Sequence, residues 1–326
     1  MKKIKEFKSN ALYVMKAFAV ISIVLSYSNI ADIGNIYLRS FLSIYKPVGV
    51  YIFLILAGYF FNYKKYPDLK SLLLDKTKKI CIPWLACGLL TYFSNFMLKP
   101  VYFNLTEIIN WLLGNGTYLY YLTMLMLIYI VIYLLPKNQK VYYTLILLNL
   151  ISILLTHLNI FPTIVDSQKL AFTYFNPYLN VFNWIGIFSF GLCLKNIDLF
   201  EIKINKKILL SLSALLILII TVFKIDANYW NIITPLISTI IVFLIFEISK
   251  LISNLKILID IGKKTFSIYL LHLPIIAFFC RFLSPKFSVF TAIIVVLFMY
   301  LILIIMEKVS QKLNIKKIFS LLSGCR

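Results

Sequence analysis

Apolar residues in this chain run in long blocks separated by short polar connections. Ten blocks approach or reach the length of a membrane span, at roughly 11–30, 44–62, 79–97, 117–135, 141–157, 180–196, 208–224, 229–249, 265–283 and 287–306. About 20 apolar residues cross a hydrocarbon core of about 30 Å, and the shorter blocks sit near the lower limit of about 17. The pattern predicts an all-α, polytopic membrane protein of about ten transmembrane helices. No connection is long enough to fold separately, so residues 1–326 read as a single transmembrane domain. One connection has its own pattern: in 66–82, Leu69, Leu72, Leu73, Ile80 and Ile82 stand among lysines. That spacing predicts an amphipathic helix on the inner surface, running into the third span with Pro83 at its start. No repeat of fixed period is visible, which gives little support to a transporter built from inverted repeats.

Composition and charge add a direction to this picture. Hydrophobic residues make up 61% of the chain and mean hydropathy is +0.91, outside the range of an ordinary soluble domain. With the N-terminus placed in the cytoplasm, 25 lysines and arginines fall on cytoplasmic segments and seven on the opposite side, alternating at each crossing. The positive-inside rule then puts both termini in the cytoplasm and makes the number of spans even. The net charge of +21 does not indicate nucleic acid, because the basic residues are spread over six segments beside the spans, against anionic headgroups. No small-residue cleavage site follows Ser28, so the first span reads as a retained anchor. Cys81, Cys87, Cys193, Cys280 and Cys325 show neither metal spacing nor a disulfide framework, and no metal site is expected.

Ionisable groups at membrane depth are costly and therefore functional candidates. Two lie inside spans: Lys16 and His272. No carboxylate is deep, with Glu247 near an inner end, which argues against a proton-coupled transporter. Lys16 and Tyr27 are eleven residues apart, about 20° from one face of an ideal helix and about 16 Å along its axis. The bland reading has Lys16 snorkelling to headgroups and Tyr27 in an aromatic belt. His272 lies eight residues past the pair Lys263-Lys264, and Pro274 follows it. A neutral imidazole there serves as proton shuttle, hydrogen-bond partner or brace between helices. His157 reads as an ordinary interfacial residue.

Several short motifs follow one another in order. They are Leu12-Tyr-Val-Met-Lys-Ala-Phe-Ala19, Phe53-Leu-Ile-Leu-Ala-Gly-Tyr59, Lys76-Thr-Lys-Lys-Ile-Cys-Ile-Pro83, Tyr120-Tyr121-Leu122 with Leu125, and Ile261-Gly-Lys-Lys-Thr-Phe-Ser-Ile-Tyr-Leu-Leu-His272. In this order, and with ten spans, the chain resembles the acyltransferase-3 family of bacterial membrane proteins, which acylate surface polysaccharides and other extracytoplasmic acceptors from acyl-CoA. The resemblance implies His272, Tyr27 and Lys16 as catalytic residues. It implies Lys76, Lys79 and Tyr269 for acyl-CoA binding, and Gly58, Tyr59, Pro83 and Tyr120 as motif positions. It further implies acyl-CoA as donor, with acetyl the expected group, no bound cofactor, a glycan or lipid-linked acceptor, and a place in the bacterial cytoplasmic membrane. One position departs: Tyr27 stands where the family has a histidine taken as the base, and a tyrosine of ordinary pKa near 10 is a poor base at neutral pH. A non-enzymatic relative in polysaccharide export or assembly, or a paralogue without chemistry, is the alternative that this departure leaves open.

Overall fold

The computed structural model describes residues 2–28, 33–98, 104–160, 171–172, 175–197, 199–200, 205–223, 229–282 and 288–324. Its helices, in chain order, are α1 (Lys2–Leu25), α2 (Ile36–Tyr59), α3 (Leu69–Lys76), α4 (Ile82–Leu98), α5 (Leu105–Leu113) and α6 (Tyr120–Leu134). They continue with α7 (Gln139–His157), α8 (Ile185–Asn196), α9 (Lys206–Phe223), α10 (Thr234–Leu251), α11 (Lys256–Phe282), α12 (Val289–Lys312) and α13 (Lys316–Ser323). No strand occurs among the described residues. Each apolar block carries a helix, and among the described residues six of them, α1, α2, α7, α10, α11 and α12, are long and apolar enough to cross a membrane. Lys99, Lys169, Lys203, Lys224, Lys286, Cys325 and Arg326, which entered the charge and thiol readings, lie outside the described residues.

Helix limits differ from the apolar blocks where polar chemistry intervenes. α1 starts nine residues before its block because the charged N-terminal segment continues the same helix. The block 180–196 is not one helix. Asn176 and Asn180 turn their side-chain oxygens onto the N–H groups of Tyr178 and Phe182, making two 3₁₀ turns before α8 begins at Ile185. Such local side-chain bonds compete with the helical ladder.

Contacts gather the chain into two compact units, Met1–Phe53 with Ile197–Ile305, and Leu54–Asn196 with Met306–Arg326. In the first unit α1 packs along α11 and α10. A Cβ at Gly262 would collide with the Tyr13 carbonyl oxygen, so α1 and α11 touch backbone to backbone there. The start of α2 is fixed to α1 by Ser22. Pro47 lies inside α2 and cannot donate to the ladder. Two residues on, the Gly49 N–H donates to Ser22 Oγ (2.8 Å), and that hydroxyl donates to the Tyr45 carbonyl (2.7 Å). Ser22 thus links the Gly49 N–H and the Tyr45 carbonyl, one turn apart on α2, through its hydroxyl. The Tyr45 hydroxyl returns the contact, donating to the Phe18 carbonyl at 2.6 Å.

In the second unit α7 pairs with α8 and α4 carries α5 and α13. The last turn of α2 crosses α8 through two glycines: a Cβ at Gly58 would strike the Phe188 carbonyl, and one at Gly191 the Ile55 carbonyl. α5 ends at Gly114 in the left-handed region (φ 81°), where a side chain would be strained and would also meet the Tyr120 backbone. Polar side chains tie α7 to the 3₁₀ turns before α8: Asn149 donates to the Phe182 carbonyl, Asn180 to Ser152 Oγ, Ser152 to Asn183 Oδ1, and Asn183 to the Pro177 carbonyl. The amphipathic segment read at 66–82 is α3, opened by a capping box between Asp68 and Ser71, then a π-helical turn over Thr77–Cys81, then α4. Pro83 supplies no N–H to the preceding turn, and the ladder just before it widens so that the Ile82 N–H reaches the Thr77 carbonyl. Single π turns of this kind concentrate at functional sites.

Candidate functional site

In the first unit the end of α1 meets the middle of α11. α1 stops at Leu25, and Tyr27 sits in the closing turn, its N–H donating to the Val24 carbonyl at 3.2 Å. The ideal-helix stripe from Lys16 therefore does not extend to Tyr27. The turn instead sets the phenol ring against the imidazole of His272, centroids 5.3 Å apart and planes at 54°. His272 is 0% exposed and Tyr27 39%, so the pair joins a buried imidazole to a ring that is reachable from outside.

The tautomer of His272 follows from its neighbour. His272 Nδ1 lies 2.6 Å from the Tyr269 carbonyl oxygen. A carbonyl only accepts, so Nδ1 carries the hydrogen, and Nε2 is the nitrogen that bears the lone pair in the neutral ring. The Tyr269 ring also lies against the imidazole, 5.8 Å away at 35°. The residue expected at the acyl-CoA is thus, in the first place, the one that orients His272.

Lys16 is half-buried and stands nine residues before the end of α1 at Leu25. Its ammonium lies 5.3 Å from the Tyr13 ring, and the Lys263 ammonium stands 5.9 Å from the same ring. Tyr13, three residues before Lys16, was readable as a helical neighbour of it; the second cation, from α11, was not. Lys263 also pairs with Asp260 at 3.1 Å. Glu247, the carboxylate nearest to membrane depth in the sequence, is buried and ion-paired with Lys250.

The basic motif belongs to the second unit, and its two expected lysines point to different surroundings. Lys76 turns inward: its ammonium sits 3.6 Å over the Tyr129 ring and 5.9 Å from those of Phe61 and Tyr66. Burial pulls its pKa down to about 8. Lys79 is held at Asp75 Oδ1, at 2.6 Å. Lys65 reaches the same oxygen at 3.1 Å, and the Tyr66 hydroxyl donates to Oδ2 at 2.8 Å. These three donors hold the Asp75 carboxyl well below the usual carboxylate range, against the opposing effect of burial. Asp75 and Lys65 were not singled out in the sequence, although Asp75 stands four residues before Lys79 at ion-pair spacing.

The remaining motif positions serve packing in their own unit. Gly58 lets α2 meet α8, Tyr59 stands edge-on to Phe60 at 5.3 Å, and Pro83 opens α4. Tyr120 starts α6 with its ring 5.0 Å from Tyr178 and 5.7 Å from Trp184. His157 is exposed at the end of α7. Among the described residues no group of three or more His, Cys, Asp or Glu could hold a metal ion.

Six helices of this length and apolarity are those of a multi-pass membrane protein. The chain matches the acyltransferase-3 family, described as an acyltransferase domain, over residues 9–307 of 326, and belongs to that family. Its general class is membrane acyltransferase. No curated protein and no solved structure matches it.

Proposed function

We propose that the protein moves an acyl group, acetyl in the first instance, from cytoplasmic acyl-CoA to a hydroxyl of an extracytoplasmic glycan or lipid-linked acceptor. The chain would cross the bacterial cytoplasmic membrane ten times with both termini inside, as its charge bias supports. The observation that carries the reading is the ring pair of Tyr27 and His272, with the imidazole tautomer set by the Tyr269 carbonyl. In the reaction the acceptor oxygen attacks the thioester carbonyl, its proton passes to His272 Nε2, the carbon–sulfur bond breaks, and the thiolate takes up the proton as free CoA. A neutral histidine with its lone pair on Nε2 suits that base. The Tyr27 phenol, in the family's histidine position, is a donor for the developing oxyanion, a role that needs an O–H and no low pKa. Lys16 supplies a cation for the thioester end of the donor.

The test uses membranes carrying Tyr27→Phe and Tyr27→His, with acetyl-labelled acetyl-CoA and a surface-glycan extract. Removing an oxyanion donor costs about 10²-fold in rate. Tyr27→Phe is expected to lose about that much transfer while inserting normally, and Tyr27→His to retain or exceed native transfer. Unchanged transfer in Tyr27→Phe takes the phenol out of the mechanism.

A further inference from the structure

The basic segment is not used as its spacing implies. Of the two motif lysines, Lys76 has its ammonium among Phe61, Tyr66 and Tyr129, whereas Lys79 faces outward with its side chain 38% exposed. The cation that joins Lys79 comes instead from Lys65, which lies outside the motif in the short 3₁₀ turn after α2 and is 49% exposed. Both ammoniums converge on a single oxygen, Asp75 Oδ1, at 3.1 and 2.6 Å. The carboxylate itself is fixed from its other oxygen by the Tyr66 hydroxyl. Two exposed lysines that meet at one oxygen are already gathered at the spacing of a single tetrahedral oxyanion, and the loss of side-chain freedom needed to bring them together has been met before any ligand arrives.

We infer that Lys65 and Lys79, gathered on Asp75, form a seat for a phosphate group, with the Asp75 carboxylate as the anion that occupies it when no ligand is bound. An incoming phosphate monoester or diester takes over the two ammoniums and leaves Asp75 on the Tyr66 hydroxyl. A phosphate monoester, doubly charged and with three acceptor oxygens, is the stronger partner for two lysines; a diester, with one charge and two free oxygens, competes with the carboxylate on more even terms. Two sources carry this chemistry, the phosphates of the acyl-CoA donor and the headgroup of an anionic lipid. The first rests on the proposed function, and the second does not.

The experiment measures binding of CoA to the detergent-solubilised full chain by calorimetry. In parallel, the same proteins in nanodiscs are scored for enrichment of phosphatidylglycerol from a mixture with phosphatidylcholine. The variants are Lys65→Gln, Asp75→Asn and, as an equal loss of charge on another helix of the same unit, Lys140→Gln. A charge-assisted hydrogen bond to phosphate is worth about tenfold or more in affinity, and an exposed opposing charge about two- to fivefold. Lys65→Gln is therefore expected to weaken CoA binding at least tenfold, Asp75→Asn to strengthen it two- to fivefold, and Lys140→Gln to change it by less than twofold. CoA binding that is strong and indifferent to Lys65→Gln overturns the seat and leaves the donor reading standing. No CoA binding, with phosphatidylglycerol enrichment lost in Lys65→Gln, keeps the seat, assigns it to lipid and removes the donor reading. Neither ligand responding to Lys65 overturns the seat outright. Weaker CoA binding in folded Asp75→Asn overturns the placeholder role of the carboxylate.

Discussion

Lys76 offers a perturbation whose size and sign come from its surroundings. Its pKa of about 8, lowered from 10.5 by burial, means that the charged form is disfavoured in the folded protein by about 3 kcal/mol, at about 1.4 kcal/mol for each pH unit. The Tyr129 ring, 3.6 Å from the ammonium, returns about 1–2 kcal/mol. A net cost of about 1–2 kcal/mol remains. Lys76→Met keeps the unbranched stem in the aromatic box and removes the charge, so the variant is expected to be the more stable protein at pH 7. The sign with pH follows from linkage. The folded pKa is below the unfolded one, so the cost is fully present below pH 8, falls as native Lys76 loses its proton, and is gone above about pH 10.5. Thermal unfolding of both proteins in the same detergent at pH 7 and pH 9.5 measures this. The variant should melt higher at pH 7, and the gap should narrow at pH 9.5. A variant that melts lower at pH 7, or a gap that is equal at the two pH values, would refute the balance of desolvation over ring attraction.

Three other outcomes follow from the packing and the proposed chemistry. Ser22→Ala leaves the Gly49 N–H without its acceptor beside Pro47 and should cost about 1–3 kcal/mol, read as a lower melting temperature. Gly262→Ala puts a methyl group onto the Tyr13 carbonyl and should separate α1 from α11, with a loss of about 1–3 kcal/mol or a lower yield of folded protein. Because the same contact holds the α1–α11 interface that pairs Tyr27 with His272, Gly262→Ala should also slow transfer in whatever protein does insert.

The all-helical architecture was legible in the hydrophobic blocks, each of which carries a helix, and six of those helices have the length and apolarity of a membrane span. The ends were not. The 180–196 block hid the Asn176 and Asn180 caps, since an asparagine that turns its side chain onto the next backbone N–H looks the same in sequence as one facing a neighbour. His272 could be singled out from its depth alone. Its meeting with Tyr27 could not, because the helical stripe assumed for α1 ends at Leu25 and a turn does the positioning. The different fates of Lys76 and Lys79 were equally hidden. Three residues apart on a regular helix they would share a face, but Lys79 lies within the π turn Thr77–Cys81 that begins just after Lys76 and shifts the register. Ser22 carried no signal at all: a serine whose hydroxyl bridges Gly49 and Tyr45 of another helix is defined only by the helix it touches.

The central claim is that His272 is the base of an acyl transfer. Membranes holding equal amounts of inserted native protein and His272→Ala, given acetyl-labelled acetyl-CoA and surface glycans, test it most directly through label on the glycan and free CoA released. A positioned general base contributes about 10²–10⁴-fold. Label transfer by the native protein and a loss of that order in the variant are expected. Equal transfer from both would contradict it.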